Sequence, residues 1–234
     1  MDGIITRAHF IKRFFDFSDW DPQKDILLIE DGTLTENRPL TIFRSQTQTV
    51  VKYHPKLNGF KTMDFSIEDS NQTIIEAFLG TGGTWKEHQT YLMFAPSPIP
   101  LPPIDGLTVD TLKLERKMDL GKLKAACQPG EVALSQVGLE DDSTIGIYHG
   151  HDLLAAGSLW YLGDDLADLH LLTHPRFRSI GLGKILVGLL VNRAFHVERI
   201  PMVRCNLQNQ AAYRVALSIG FIEALSIFEI EVSI

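Results

Sequence analysis

The sequence contains very few cysteines from which disulfide bonds could form. Its 234 residues include two cysteines, Cys127 and Cys205, and neither lies in a CxxC motif. Two cysteines cannot build a disulfide framework. The chain must therefore fold around a hydrophobic core, and its length is sufficient for one large domain or two small ones.

The sequence also lacks an excess of positive charge. It has 22 Lys and Arg residues against 29 Asp and Glu, which gives a formal net charge of −7. General nucleic-acid binding requires a basic footprint that neutralises phosphates. The charge balance therefore argues against nucleic acid as a partner, and it makes any local basic cluster more informative.

Long apolar runs are missing as well. The run ILVGLLV at 185–191 is much shorter than the roughly 20 residues of a membrane-spanning helix. The first residues, MDGIITRAHFIKRFFDF, lack the apolar core and the cleavage site of a signal peptide. We expect no membrane partner and a cytoplasmic location.

Proline is concentrated in one segment. Five of the eleven prolines fall within residues 95–106, APSPIPLPPIDG. Such a run cannot form a helix or a central strand, and it favours a stiff extended connector. We therefore predict an N-terminal α/β domain over residues 1–95, a linker over 96–105 and a second domain over 106–234.

The second domain has the clearer secondary-structure pattern. Residues 166–174 are typical of a strand, residues 182–197 of a helix with apolar positions at a 3.6-residue period, and residues 201–207 of a strand. This order predicts a parallel pair of strands with a right-handed crossover. We further predict a helix over 209–219 and a hairpin of two strands over 221–234.

The turn between the first strand and the helix is HPRFRSIGLGK, residues 174–184. The amide groups at the start of a helix have no partners within it, and the helix dipole favours an anion there. Gly181 and Gly183 leave no side chain in front of those amides, while Arg178 and Lys184 add positive charge. The turn is therefore predicted to bind an anion, although a tight turn with solvated arginines is an alternative.

Two motifs of this domain resemble those of the GNAT superfamily of N-acyltransferases. In that family the fourth strand is followed by Arg/Gln-x-x-Gly-x-Gly/Ala, and Arg178, Gly181 and Gly183 match this pattern. A second family pattern has an Asn, an Ala three residues later and Gly-Phe near the end of a helix. The residues that match it are Asn209, Ala212, Gly220 and Phe221.

The resemblance covers about residues 106–226. It implies an α/β fold (α+β, with a mixed parallel and antiparallel sheet). In this sheet a central pair of parallel strands splays apart. A smaller α/β domain would precede this GNAT core, either as a degenerate GNAT-like lobe or as an unrelated module. Because residues 1–95 contain no Arg-x-x-Gly-x-Gly, we do not expect that domain to bind the coenzyme.

The resemblance also implies that acetyl-coenzyme A is the acyl donor. Backbone groups of the fourth strand would pair with its pantetheine arm, with an N–H near Leu172 polarising the thioester carbonyl. Arg176 would contact the 3′-phosphate, and Asn209 would bond the pantetheine, cap its own helix, or both. The residues predicted to bind the coenzyme are Leu171, Leu172, Thr173, Arg176, Arg178, Ser179, Ile180, Gly181, Leu182, Gly183, Lys184, Asn209 and Ala212.

Acyl transfer to an amine requires a base, because a free ammonium group has a pKa near ~10. Family members often place an acid ten positions before the motif arginine, which is Asp168 here, and His170 shares its face of the strand. The alternative is that both residues only line a polar cleft. The usual proton-donating tyrosine is replaced by Ala216, so Tyr213, one helical turn earlier, is the candidate acid. A thiolate (thiol pKa near ~8.5) could also leave without an acid.

The sequence therefore predicts an enzyme that moves an acetyl group to a primary amine by direct attack in a ternary complex. The acceptor is a small molecule or a protein, and a monomer and a homodimer both stay open. A non-catalytic coenzyme A binding sensor or scaffold is the alternative. His149 and His151 have no third ligand at a suitable spacing, so no metal is predicted.

Overall fold

The computed structural model describes residues 4–15, 24–60, 65–139 and 143–232. Within these ranges the helices are α1 Arg7–Phe15, α2 Asn71–Leu79, α3 Lys117–Ala126, α4 Pro129–Ser135, α5 Leu182–His196 and α6 Gln210–Ser218. The strands are β1 Ile26–Glu30, β2 Leu40–Arg44, β3 Thr49–Tyr53, β4 Trp85–Phe94, β5 Thr108–Thr111, β6 Ile145–His149, β7 Asp152–Leu162, β8 Leu166–Thr173, β9 Ile200–Asn206 and β10 Ile222–Val232. Strands pair in both parallel and antiparallel fashion, so the predicted mixed α/β fold is confirmed. None of the described helices combines the length and apolar character needed to cross a membrane.

The chain forms two compact units, and each unit combines several segments. Unit 1 contains Met1–Phe14, Met93–Arg204 and Ala211–Ile222, and unit 2 contains Phe15–Leu92, Cys205–Gln210 and Glu223–Ile234. The predicted boundary between residues 95 and 106 follows chain order, whereas these units bring together segments from both halves of the chain. The division of the chain into the predicted domains stays a prediction.

The proline-rich segment lies inside unit 1 and contains neither helix nor strand over residues 95–107. It docks on α5 through the side-chain amide of Asn192, which accepts from Ile99 N–H and donates to Ile99 C=O, both at 2.9 Å. Leu101 packs so closely on Gly188 of α5 that a Cβ there would lie 2.7 Å from the leucine Cδ2. The proline-rich segment is therefore packed against α5 through both hydrogen bonds and apolar contact.

In unit 2 the strand order is β1-β3-β2-β10-β4, with β1 parallel to β3. The helix α2 begins at Ser70, whose side chain accepts the Thr73 amide, and it packs Ile74 and Phe78 into the core. The prediction of a C-terminal hairpin was wrong, because β10 is a single strand that pairs antiparallel with β2. Residues 221–234 contain no Gly, Pro, Asn or Asp that would favour a turn.

In unit 1 the strand order is β9-β8-β7-β6-β5. The helix α5 connects β8 to β9 and covers one face of this sheet, where Leu190 packs on Gly157 of β7. The helices α3 and α4 cover the other face, where Leu120 and Leu123 pack with Leu172. The sheet of unit 1 is therefore buried between two helical layers.

The parallel strands β8 and β9 separate after a short paired stretch. They pair at Leu166↔Ile200, Ala167↔Pro201 and Asp168↔Met202, and in the part of the chain that the structure describes no further pair joins the two strands. Both strands continue, β8 to Thr173 and β9 to Asn206. The splayed central pair implied by the resemblance is therefore confirmed.

Candidate functional site

The turn between β8 and α5 exposes a run of backbone amides. Ser179 and Gly181 have positive φ values of 64° and 94°, and α5 starts at Leu182. The amides of residues 179–183 donate no hydrogen bond to any described residue, whereas Lys184 N–H donates to Gly181 C=O at 3.0 Å. A Cβ placed on Gly181 or Gly183 would meet no atom within 4 Å. The arrangement is an open concave set of donors, which suits an anion.

Arg178 has a different environment from the one that its sequence position suggests. Its Nη1 and Nη2 lie 2.7 and 3.0 Å from Glu131 Oε1 and Oε2, and its Nε and Nη2 donate to Thr173 C=O at 3.3 Å. The hydrogen bonds from Arg178 hold the pKa of Glu131 below its ordinary value. The guanidinium therefore links the turn to α4, while Arg176 and Lys184 form no salt bridge within the described residues.

The backbone register of β8 determines which amides face the gap beside β9. His174 N–H donates to Leu154 C=O of β7 at 2.8 Å. Because backbone groups alternate along a strand, the N–H groups of Leu171 and Thr173 point away from β7, and the N–H of Leu172 points toward it. Among the amides near Leu172, those of Leu171 and Thr173 are therefore the ones that face the gap.

Asp168 lies on the face of β8 that α4 covers, and it is 1% exposed. Its Oδ2 accepts hydrogen bonds from Arg204 of β9, from Nε at 2.9 Å and from Nη2. The Arg204 side chain is 48% exposed, so the pair joins a buried carboxylate to a guanidinium that solvent can reach. This ion pair compensates the burial of the carboxylate and leaves Oδ2 fully engaged.

His170 lies two residues further along the same face and is 8% exposed. Its Nδ1 is 3.1 Å from the carbonyl oxygen of Ser135, at the end of α4. Since a carbonyl can only accept, Nδ1 carries the proton and Nε2 holds the lone pair of the neutral ring. Nε2 has no hydrogen-bond partner among the described residues, and its closest carboxylate oxygen is Asp168 Oδ2 at 3.6 Å.

Ser158 is a site residue that the sequence analysis missed. It pairs directly with His170 across β7 and β8, so both side chains lie on one face of the sheet. Its Oγ is buried and has no hydrogen-bond partner within the described part of the chain. A buried polar atom of this kind costs about 1–3 kcal/mol, so the unpartnered Ser158 Oγ and His170 Nε2 make this face of the sheet a candidate functional site. Trp160 flanks them, with its ring 5.3 Å from that of His170.

The second motif surrounds α6. Asn209 directly precedes this helix, and Ala212 and Tyr213 on it are half-buried. Ala216, at the usual tyrosine position, is 4% exposed and packs in the core. Gly220 has a φ of 97°, which ends the helix as predicted. The position of residue 216 therefore supplies no proton donor.

Two further features lie outside this arrangement. A groove of about 440 Å³ in unit 2 is lined by Lys86, Glu87, His88, Gln89, Asn206, Leu207, Gln208 and Phe228. His149 ends β6, and His151 lies in the turn that leads to β7. Among the described residues, no three His, Cys, Asp or Glu side chains are grouped as metal ligands would be.

Comparison with known families finds one match. Residues 119–221 match the model of the family described as "Acetyltransferase (GNAT) family". The matched range includes the turn after β8, the separating strands, and α6. No protein of curated function matches this sequence significantly.

Comparison with solved structures finds the same fold at low sequence identity. A GNAT-family acetyltransferase from Colwellia psychrerythraea has a TM-score of 0.54 and 19% identity over 68% of this chain and 61% of its own. A GCN5-related N-acetyltransferase from Sphaerobacter thermophilus has a TM-score of 0.52 and 12% identity, over 69% of this chain and 56% of its own. A GCN5-related N-acetyltransferase from Kribbella flavida has a TM-score of 0.51 and 13% identity, over 69% of this chain and 62% of its own. The match thus spans less than two thirds of each of these three proteins.

Proposed function

We propose that the protein, whose residues 119–221 match the GNAT acetyltransferase family model, transfers an acetyl group from acetyl-coenzyme A to a primary amine. The observation that carries the proposal is the run of open amides at residues 179–183, directly beside the gap between β8 and β9. A diphosphate and the extended thiol arm attached to it match these two adjacent features.

In the proposed complex, the pyrophosphate accepts hydrogen bonds from the amides of residues 179–183. Arg176 and Lys184 are exposed on either side and contribute positive charge. The pantetheine arm lies along β8, where the amides of Leu171 and Thr173 face the gap. One of these two amides donates to the thioester carbonyl oxygen and stabilises the charge that develops there. From the resemblance, Asn209 and Ala212 also contact the arm.

We assign the proton acceptor to His170. Its Nε2 has a free lone pair, and the Ser135 carbonyl fixes the required tautomer. Asp168 Oδ2 accepts two hydrogen bonds from Arg204, so taking up a proton there would disrupt an ion pair. His170 Nε2 removes a proton from the acceptor ammonium, and the neutral amine then attacks the thioester carbon.

The acceptor in this proposal is a small molecule or a protein amine, in a cytoplasmic setting. Ser158 Oγ and Trp160 lie beside His170 and would contact the acceptor. The coenzyme itself carries the thioester chemistry, and no metal takes part. Tyr213 stays the candidate proton donor from α6.

The test is to titrate acetyl-coenzyme A into the protein by calorimetry and then to follow thiol release with a broad panel of primary amines. Saturable binding with amine-dependent thiol release supports the enzyme. Binding without turnover across the panel supports the sensor alternative, which the buried Ala216 favours. Absence of binding would refute both.

A further inference from the structure

The proposed reaction leaves one charge without an obvious partner. When the amine has attacked, the carbon–sulfur bond breaks and the sulfur departs as a thiolate. Residue 216 is a buried alanine with no proton to give. Any group that stabilises the thiolate therefore comes from another residue of the site, with Tyr213 as one candidate.

Arg204 lies where the sulfur is expected. With the pyrophosphate at residues 179–183, the arm runs along β8 toward the point where β8 and β9 meet. The last pair there is Asp168↔Met202, and Arg204 follows Met202 by two residues, on the same face. Its side chain reaches across from β9 to Asp168 of β8. The guanidinium therefore spans the closed end of the gap.

The hydrogen bonds of Arg204 leave part of the guanidinium available. Nε and Nη2 donate to Asp168 Oδ2, whereas Nη1 donates to no described residue. The side chain is half exposed, although its carboxylate partner is buried. Asp168 thus fixes one edge of the planar Arg204 guanidinium, and the remaining N–H groups are held on its solvent-accessible side.

We propose that Arg204 is a catalytic residue that stabilises the departing coenzyme A thiolate by charge and hydrogen bonding. This inference rests on the proposed acetyl transfer and adds to it a role that Ala216 cannot fill. Asp168 then acts as a positioning residue, because it orients the guanidinium and takes no proton.

The step balances without a further reactant. Before the attack, His170 Nε2 has taken the ammonium proton and released it to solvent. The neutral amine nitrogen then forms a bond to the carbonyl carbon, and the second proton that it loses goes to His170 Nε2. The tetrahedral intermediate collapses, the electron pair of the carbon–sulfur bond goes to sulfur, and an amide and a thiolate result. Arg204 keeps its proton throughout, since a guanidinium does not deprotonate in proteins. The thiolate takes a proton from solvent or from the imidazolium of His170 after cleavage.

The decisive experiment measures the pKa of the coenzyme A thiol while it is bound, by its thiolate ultraviolet absorbance. We expect a lower pKa in the wild-type complex than in free coenzyme A. In Arg204→Gln it should rise by about one unit, a tenfold loss of thiolate, with an intermediate value in Arg204→Lys. Acetyl transfer by Arg204→Gln should fall roughly 10²-fold, the cost of losing one oxyanion donor.

Two controls separate this role from a structural one. Arg13→Gln removes a similar half-exposed arginine, paired with Asp165 at 2.9 Å, and should leave the bound thiol unchanged. Asp168→Asn keeps the positive charge of the guanidinium but loses the carboxylate that orients it, so the pKa of the bound thiol should rise by less than in Arg204→Gln. An equal or larger rise in Asp168→Asn would contradict a direct contact between Arg204 and the sulfur.

Other outcomes are equally clear. If the bound thiol titrates identically in wild type and Arg204→Gln, the role of Arg204 is wrong while the proposed function stands. If Tyr213→Phe shifts the titration and Arg204→Gln does not, the tyrosine is the thiolate partner. If coenzyme A does not bind the wild-type protein, the proposed function itself fails.

Discussion

Arg178 and Glu131 form a bidentate ion pair, with Nη1–Oε1 and Nη2–Oε2 distances of 2.7 and 3.0 Å. Glu131 belongs to α4, which ends at Ser135, and the carbonyl of Ser135 orients His170. The motif arginine of the proposed phosphate turn is therefore connected, through one short helix, to the proposed base. This relationship gives Arg178 a role in positioning α4.

Glu131→Gln tests that connection. It should lower turnover several-fold by loosening α4, with little loss of acetyl-coenzyme A affinity, and should reduce the free energy of unfolding by about 0.2–1 kcal/mol, as expected for a partly exposed pair. Steady-state kinetics and urea unfolding measure both effects. Glu36→Gln, at the exposed pair with Lys56, is the matched control and should leave turnover unchanged.

The same pair predicts a pH dependence of stability. The pKa of Glu131 lies below its ordinary value of 4.5 because Arg178 hydrogen-bonds the carboxylate. Its contribution is therefore present above pH 4.5 and is lost as the pH falls through the lowered value. In urea unfolding, the difference between wild type and Glu131→Gln should be constant near neutrality and should shrink below pH 4.5. A difference that persists unchanged in strong acid would contradict this origin.

Gly183→Glu tests the anion site. A Cβ at Gly183 meets no atom within 4 Å and its φ is not positive, so the fold should tolerate the substitution. The added carboxylate would lie among the amides that receive the pyrophosphate, and coenzyme A affinity should fall at least about tenfold by charge repulsion. Gly121→Glu, at an equally open glycine of α3, is the control. Equal affinities in the two variants would place the coenzyme elsewhere.

His170→Ala and Asp168→Asn separate the two candidate bases. If His170 is the proton acceptor, its removal should lower turnover by roughly 10²–10⁴ and abolish the loss of activity toward acid pH. Asp168→Asn should keep the acid limb of the pH–rate profile at a reduced rate. The reverse pattern would assign the base to Asp168, and circular dichroism checks that both variants fold.

Ser158→Ala tests whether the unpartnered hydroxyl serves the acceptor. Because Ser158 Oγ has no partner among the described residues, its loss should not lower the melting temperature, but it should raise the KM for the amine. Ser143→Ala is the contrasting control, since Ser143 Oγ donates to Leu159 C=O at 3.0 Å. That variant should lose about 1 kcal/mol of stability with an unchanged KM.

Local features of the chain were predictable from neighbouring residues. The helix after residues 174–184, its open amides, and the end of α6 at Gly220 all follow from glycine positions and from a 3.6-residue period. The strand–helix–strand order implied the parallel pair of β8 and β9. These signals act within a few residues, so one segment contains all the information needed.

The site chemistry depends on residues that are far apart in the chain. Arg178 meets Glu131 47 residues away, and Asp168 meets Arg204 36 residues away. Strand register determines where the pairing of β8 and β9 ends, and it also places Ser158 opposite His170. No local sequence pattern encodes this register. The amino-acid pattern thus specified a glycine-rich helix start with open backbone amides. Only the tertiary structure brings the charges of Asp168 and Arg204 together where β8 and β9 separate, because these residues belong to strands from distant segments of the chain.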